Sequence, residues 1–209
     1  MKKHFLSFCL LLAIGTASAY ANSGIGEVTR TTDPGVVIDG IRWATRNVDA
    51  PGTFAENPES AGMFFQWNRR RGWPATGEVS NWNRSRPQSE IWQRANNPCP
   101  QGWRLPTREE IETLGNEHNI NFRWAEINEV NGTIFEDRTS GNKLFLPAVG
   151  WRYIPNGALH NAGVNGGYWS STSDGTMYAW SLVFSNGVVV VGSGNFSRAD
   201  GFSVRCMAE

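Results

Sequence analysis

The chain has 209 residues, including 10 Trp, 23 Gly and 3 Cys, and carries 19 basic against 19 acidic side chains. That length fits one domain after removal of a leader, and the balanced charge lacks the basic face that non-specific nucleic-acid binding needs, so no nucleic-acid partner is expected. A charged fraction of only 18% with so much Gly and Trp excludes a helical bundle and favours a loop-rich domain held by large rings.

The first element is the leader. Lys2 and Lys3 precede an apolar run over 5–14, and Ala17, Ala19 and Ala21 follow at the spacing a signal peptidase reads. The run is about half the ~20 residues needed to span a bilayer, so 1–21 reads as a cleaved signal peptide, ending at Ala19 or Ala21, and no membrane span is expected. Cys9 sits inside the apolar run without the small residues that lead into a lipoprotein cysteine. The mature protein is therefore expected to be periplasmic, cell-surface or extracellular. Losing Lys2 and Lys3 leaves 17 basic against 19 acidic residues, a net charge of −2.

Cleavage also leaves two cysteines, Cys99 and Cys206. An even count in an exported chain reads as a disulfide. A pair of free thiols or a metal pair is the alternative. With only His118 and His160 as further ligands, and no metal-ligand spacing, no metal site is expected.

Residues 22–34 are small and polar and read as a flexible mature N-terminus, with the folded domain over 35–209. Asp39-Gly40, between Val36-Val37-Ile38 and Ile41-Arg42-Trp43, predicts a two-residue hairpin. Residues 47–101 resist assignment. Tryptophans at 67, 73, 82 and 92 suggest aromatic-pinned loops with short helical turns near 60–66 and 89–94. The Arg69-Arg70-Arg71 run reads as a solvated loop. Thr107-Arg108-Glu109-Glu110 is a capping box, and Ile111 and Leu114 share the helix face behind it. Strands follow at 144–150, 168–171 and 178–185. In the last of these Trp180, Leu182 and Phe184 alternate with Ala179, Ser181 and Val183. Asn186-Gly187 predicts a type I′ turn into 188–191, and 201–207 supplies a closing strand. One helix followed by an antiparallel sheet gives an α+β expectation.

Four strings then occur in order: Asn97-Pro98-Cys99-Pro100, Gly102-Trp103-Arg104-Leu105-Pro106-Thr107, Gly167-Tyr168-Trp169-Ser170-Ser171-Thr172 and Gly201-Phe202-Ser203-Val204-Arg205-Cys206. Together with Gly40-Ile41-Arg42-Trp43-Ala44-Thr45-Arg46-Asn47-Val48, they resemble the FISUMP family of exported bacterial modules. The resemblance implies a C-type-lectin-like fold: an antiparallel sheet, one or two helices, long loops, and a disulfide joining Cys99 to Cys206. The family is similar in turn to retroelement-diversified variable domains. This implies a recognition face over 173–178 and 185–198, with Trp169, Leu182, Phe184 and Phe202 as frame. Its exposed positions would be Asp174, Thr176, Tyr178, Ser185, Asn186, Val190, Ser193, Asn195 and Arg198; ordinary strand and turn surface is the other reading of them.

Calcium-dependent sugar binding needs clustered oxygen ligands. Glu56-Asn57-Pro58-Glu59 and Asn81-Trp82-Asn83 both precede Cys99, outside the expected loop, so no recognisable motif supports calcium and no cofactor is expected. Calcium-free recognition by rigid aromatics needs no such motif, and Trp151 and Tyr153 join the candidate contacts. Gly102 to Thr107 is also similar to a string in formylglycine-generating oxidases. Those enzymes need a reactive cysteine pair, whereas a bridged cysteine is no nucleophile, and no catalytic residue is expected. The expectation is a non-catalytic module that binds a protein or glycan. A structural subunit of a surface assembly, docking on proteins of the same cell through tryptophans of the 68–92 region, is the alternative.

Overall fold

The computed structural model describes residues 30–209. The predicted signal peptide and residues 22–29 lie outside the described residues. In chain order the strands are β1 (Val36–Ile38), β2 (Ile41–Trp43), β3 (Phe64–Gln66), β4 (Gly72–Trp73) and β5 (Trp103–Arg104). The single α-helix with described residues throughout, α1 (Arg108–Glu112), runs into a 3-10 turn at Thr113–Gly115. Then come β6 (Ile120–Ile127), β7 (Val130–Asp137), β8 (Lys143–Pro147), β9 (Trp151–Tyr153) and β10 (Ala158–His160). The last five are β11 (Gly166–Asp174), β12 (Tyr178–Ser185), β13 (Val188–Ser197), β14 (Gly201–Phe202) and β15 (Met207–Ala208).

These strands form four antiparallel sheets, ordered β1-β2-β15-β5, β10-β9-β14-β3-β4, β11-β12-β13 and β6-β7-β8. This overturns the α+β, C-type-lectin-like expectation: the described residues are mostly β, and the one α-helix that lies wholly among them, α1, has five residues between Thr107 and the 3-10 turn. The physical reason lies in 120–147, where a hairpin of two eight-residue strands and a third strand form a sheet of their own. The expected helical turn at 60–66 is strand β3, and the one near 89–94 is a 3-10 turn at Arg94–Asn96.

Local chemistry explains the elements that do match. Asp39 and Gly40 both take left-handed φ, 48° and 77°, as a two-residue hairpin demands. At α1 the Thr107 hydroxyl accepts from the Glu110 amide and the Glu110 carboxylate accepts from the Thr107 amide. Ile111 and Leu114 are buried below it against Trp43, Phe135 and Leu182. At 186–187 only Gly187 is left-handed, φ 76°, so the expected type I′ turn, which needs two such residues, is not formed. The expected closing strand is split between two sheets: β14 pairs with β3 and β9, and β15 pairs with β2 and β5. Between them lies Cys206, bridged to Cys99 across a sequence separation of 107.

Residues 30–34 dock on the domain. Asp33 accepts from the amides of Gly35 and Thr45 and from Arg46 Nε. Burial pushes the Asp33 carboxyl up, but these donors outweigh it and hold it below its ordinary value. Glu110 is likewise held low, chiefly by Arg104, which it meets through both carboxylate oxygens. A folded-state pKa below the unfolded one gives stability that is complete above the unfolded value and lost as pH falls through the folded one. Asp33→Asn should therefore cost about 1 to 2 kcal/mol at pH 7 and progressively less as the pH falls below the ordinary carboxylate range, compared by thermal melting. An equal cost at every pH would show that the Asp33 charge contributes nothing.

Candidate functional site

Long stretches between the short strands are fixed by arginines as well as by rings. Arg152, Arg198 and Arg205 are each only 1% exposed, and none forms an ion pair among the described residues. They donate to oxygens of irregular backbone instead, which serves the same need as secondary structure. Arg152 reaches the carbonyls of Pro74, Thr76, Gly77 and Gly157. Arg205 holds Asn47 Oδ1 and the Ala44 carbonyl, and burial pulls its pKa down to about 10. Arg198 donates to the carbonyls of Pro87 and Tyr178, 2.6 and 2.9 Å away, and to that of Gly175, with its guanidinium 4.4 Å from the Trp67 ring centroid. The Pro87 carbonyl belongs to one loop, and those of Gly175 and Tyr178 to the β11–β12 hairpin. Arg198 thus fastens two separate walls together.

Two clefts flank that fastening. The first, about 500 Å³, is lined by Arg69, Arg70, Arg71 and Arg86 with the amides of Gln66, Asn68 and Gln93, and no Asp or Glu lines it. Arg71 lies over Trp73, 4.0 Å from the ring centroid, and Trp73 leans on Trp82 at 4.7 Å. Arg69 bonds Ser85 through one terminal nitrogen, while its Nε is buried without a partner. Burial without a counter-charge pulls the Arg69 pKa down. Arg86 Nε donates to Ser197 Oγ, whose own amide is held by the buried Asp200 carboxylate. Burial pushes that carboxyl upward. The second cleft, about 720 Å³, lies between 88–91 and 172–176 with Arg198 at its base. Ile91, 65% exposed, separates it from a smaller hollow of about 420 Å³ beside Trp92 and Leu105.

Comparison with protein families matches residues 40–208 to the model described as the Lcl C-terminal domain. The chain belongs to the Lcl C-terminal domain family. Comparison with curated proteins and with solved structures finds no match.

In this Lcl domain the residues expected to form one face are divided. Asp174, Thr176 and Tyr178 lie at the β11–β12 turn, and Asn195 lies beside them because β13 returns with Tyr178 opposite Ser197. Ser185, Asn186 and Val190 lie toward the far end of β12, roughly 23 Å away at ~3.3 Å per residue. Ser193 sits between, opposite Ser181. Only Thr176 and Arg198 line the second cleft, and Arg198 is the buried fastener, not an exposed contact. Trp151 packs its ring on Phe196 and Phe202, whereas Tyr153 is exposed and pairs with His160 at 5.0 Å.

The tryptophans of the 68–92 region, Trp73, Trp82 and Trp92, are buried and offer no docking surface. Sequence reasoning reads the Arg69-Arg70-Arg71 run as a solvated loop and misses the cleft, because the fourth arginine, Arg86, lies on a separate loop and no local signal shows that it converges on the run. Among the described residues no group of three or more His, Cys, Asp or Glu is placed to hold a metal ion. No helix among them is long and apolar enough to cross a membrane.

Proposed function

We propose that this Lcl C-terminal domain is an exported, non-catalytic recognition module that binds an acidic glycan in the arginine-lined cleft. The observation that carries the reading is a hollow bordered by four guanidiniums and no carboxylate, in a chain whose mature charge is −2. Arg69 Nε is buried and unpartnered, and Arg71 has neither hydrogen bond nor ion pair among the described residues. Guanidinium forks match carboxylate and sulfate oxygens, and an anion seated there would relieve the desolvated charge of Arg69. A hollow of about 500 Å³ suits a sugar unit better than the broad surface of a protein partner. The signal-like leader and the resemblance to exported FISUMP modules support a place at or beyond the cell surface. The tryptophans of 68–92 are buried, so an assembly subunit would have to dock through another surface.

The test is calorimetric titration of the mature domain with carboxylated, sulfated and matched neutral oligosaccharides, with calcium and then with chelator. Acidic ligands should bind, weaken with added salt and ignore the chelator. Changing Arg71 and Arg86 together to alanine should weaken binding about 10-fold or more with little change in melting. Equal affinity for neutral and acidic ligands would refute the reading.

A further inference from the structure

The two clefts adjoin at Gln88, which lines both. Arg198 holds the Pro87 wall of the first at a fixed distance from the Gly175 wall of the second. Their chemistry differs sharply. In place of a rim of arginines, the second cleft presents the hydroxyls of Ser89, Thr172, Ser173 and Thr176, the Gln88 amide and the Glu90 carboxylate. The one guanidinium there, Arg198, spends its donors on carbonyls. The Glu90 carboxylate accepts no hydrogen bond among the described residues, so it repels a second anion and is free to accept from a hydroxyl donor. Ser89 Oγ already donates to the Ile91 carbonyl and Thr172 Oγ1 accepts from the Arg108 amide, so Ser89 keeps an acceptor, Thr172 keeps a donor, and Ser173 and Thr176 offer both to a hydroxyl-rich ligand.

We propose that the second cleft is a separate subsite that takes an uncharged, hydroxyl-rich sugar unit adjoining the acidic unit held by the arginines. This rests on the acidic-glycan reading and narrows it: the ligand is a chain in which acidic and neutral units adjoin, laid across Gln88. Because Arg198 already fixes the walls, the subsite is formed before the ligand arrives and little ordering entropy opposes binding.

The experiment compares inorganic sulfate, an acidic monosaccharide and a tetrasaccharide of alternating uronate and neutral hexose units, titrated against wild type, Thr176→Ala and Thr176→Trp. Thr176 is exposed at the β11–β12 turn, with no side-chain hydrogen bond among the described residues, so both variants should melt like wild type. Wild type should bind the tetrasaccharide at least 10-fold more tightly than the monosaccharide. Thr176→Trp, which fills the cleft, should abolish that gain and leave the monosaccharide and sulfate affinities unchanged. Thr176→Ala should cost the tetrasaccharide roughly 3-fold, the value of one hydrogen bond. Tetrasaccharide affinity no better than monosaccharide affinity, or a gain that survives Thr176→Trp, overturns the subsite while the arginine cleft stands. Absence of binding by any acidic ligand overturns both.

Discussion

Changing Cys99 and Cys206 together to alanine should lower the melting temperature by roughly 8 to 20 °C. The bridge closes a loop spanning 107 positions, and the loop-entropy model assigns about 4 to 5 kcal/mol to a loop of that size. For a chain of this length each kcal/mol corresponds to about 2 to 4 °C. The location favours the full effect. Cys206 is completely buried and Cys99 nearly so, both within the cluster that holds Trp67, Trp103 and Trp169. The Cys206 carbonyl also accepts from the Ala44 amide, so losing the bridge loosens the joint between the opening and closing segments. Reduced wild type should melt close to the double variant, and a non-reducing peptide map should show the two cysteines linked. A shift below about 3 °C would mean that packing alone fixes this joint.

Arg198→Met should cost about 3 kcal/mol and weaken acidic-ligand binding at least 10-fold, although Arg198 lines the second cleft and not the arginine cleft. Methionine preserves much of the side-chain volume beside Trp67 but leaves the carbonyls of Pro87, Gly175 and Tyr178 without their donor. Each unsatisfied buried carbonyl costs about 1 to 3 kcal/mol, partly recovered where water can enter. Burial holds the Arg198 pKa below its ordinary value, yet the group stays charged at neutral pH. Arg198→Lys restores the charge without the planar fork and should recover less than half of the stability. Stability and binding that both survive Arg198→Met would show that the walls are held from elsewhere.

The parts of this fold legible in the sequence are those specified by neighbours in the chain. Asp39-Gly40, the Thr107 capping box and the two surviving cysteines each carry their own geometric demand, and each forms as read. The β6–β7 hairpin escaped notice because its turn is Asn128-Glu129, with φ 49° and 65°, and glutamate is not a residue that announces a left-handed turn. Strand β12 forms where the alternation places it, but alternation does not say how deep each face lies. Ala179 and Ser181 are as buried as Leu182 and Phe184 on the opposite face, and the pairing with β13 shifts register between Ala179 and Ser181 and between Ser181 and Val183. The resemblance to variable domains puts Arg198 among the exposed positions, where arginine is usually found. Its burial depends on carbonyls at 87, 175 and 178, and no local pattern encodes that convergence. The arginine cleft was hidden for the same reason.

The placement of β15 has a consequence for the order of folding. Met207 pairs with Trp43 on one side and Arg104 on the other, so an interior strand of the first sheet joins segments that lie more than 100 positions before it. Until it docks, β1-β2 and β5 have nothing between them, and Cys99 waits for its partner at 206. A chain lacking 207–208 holds every other strand named above yet cannot close that sheet. The first sheet is therefore completed only by contacts of very high sequence separation, with the open edge of β2 exposed until they form.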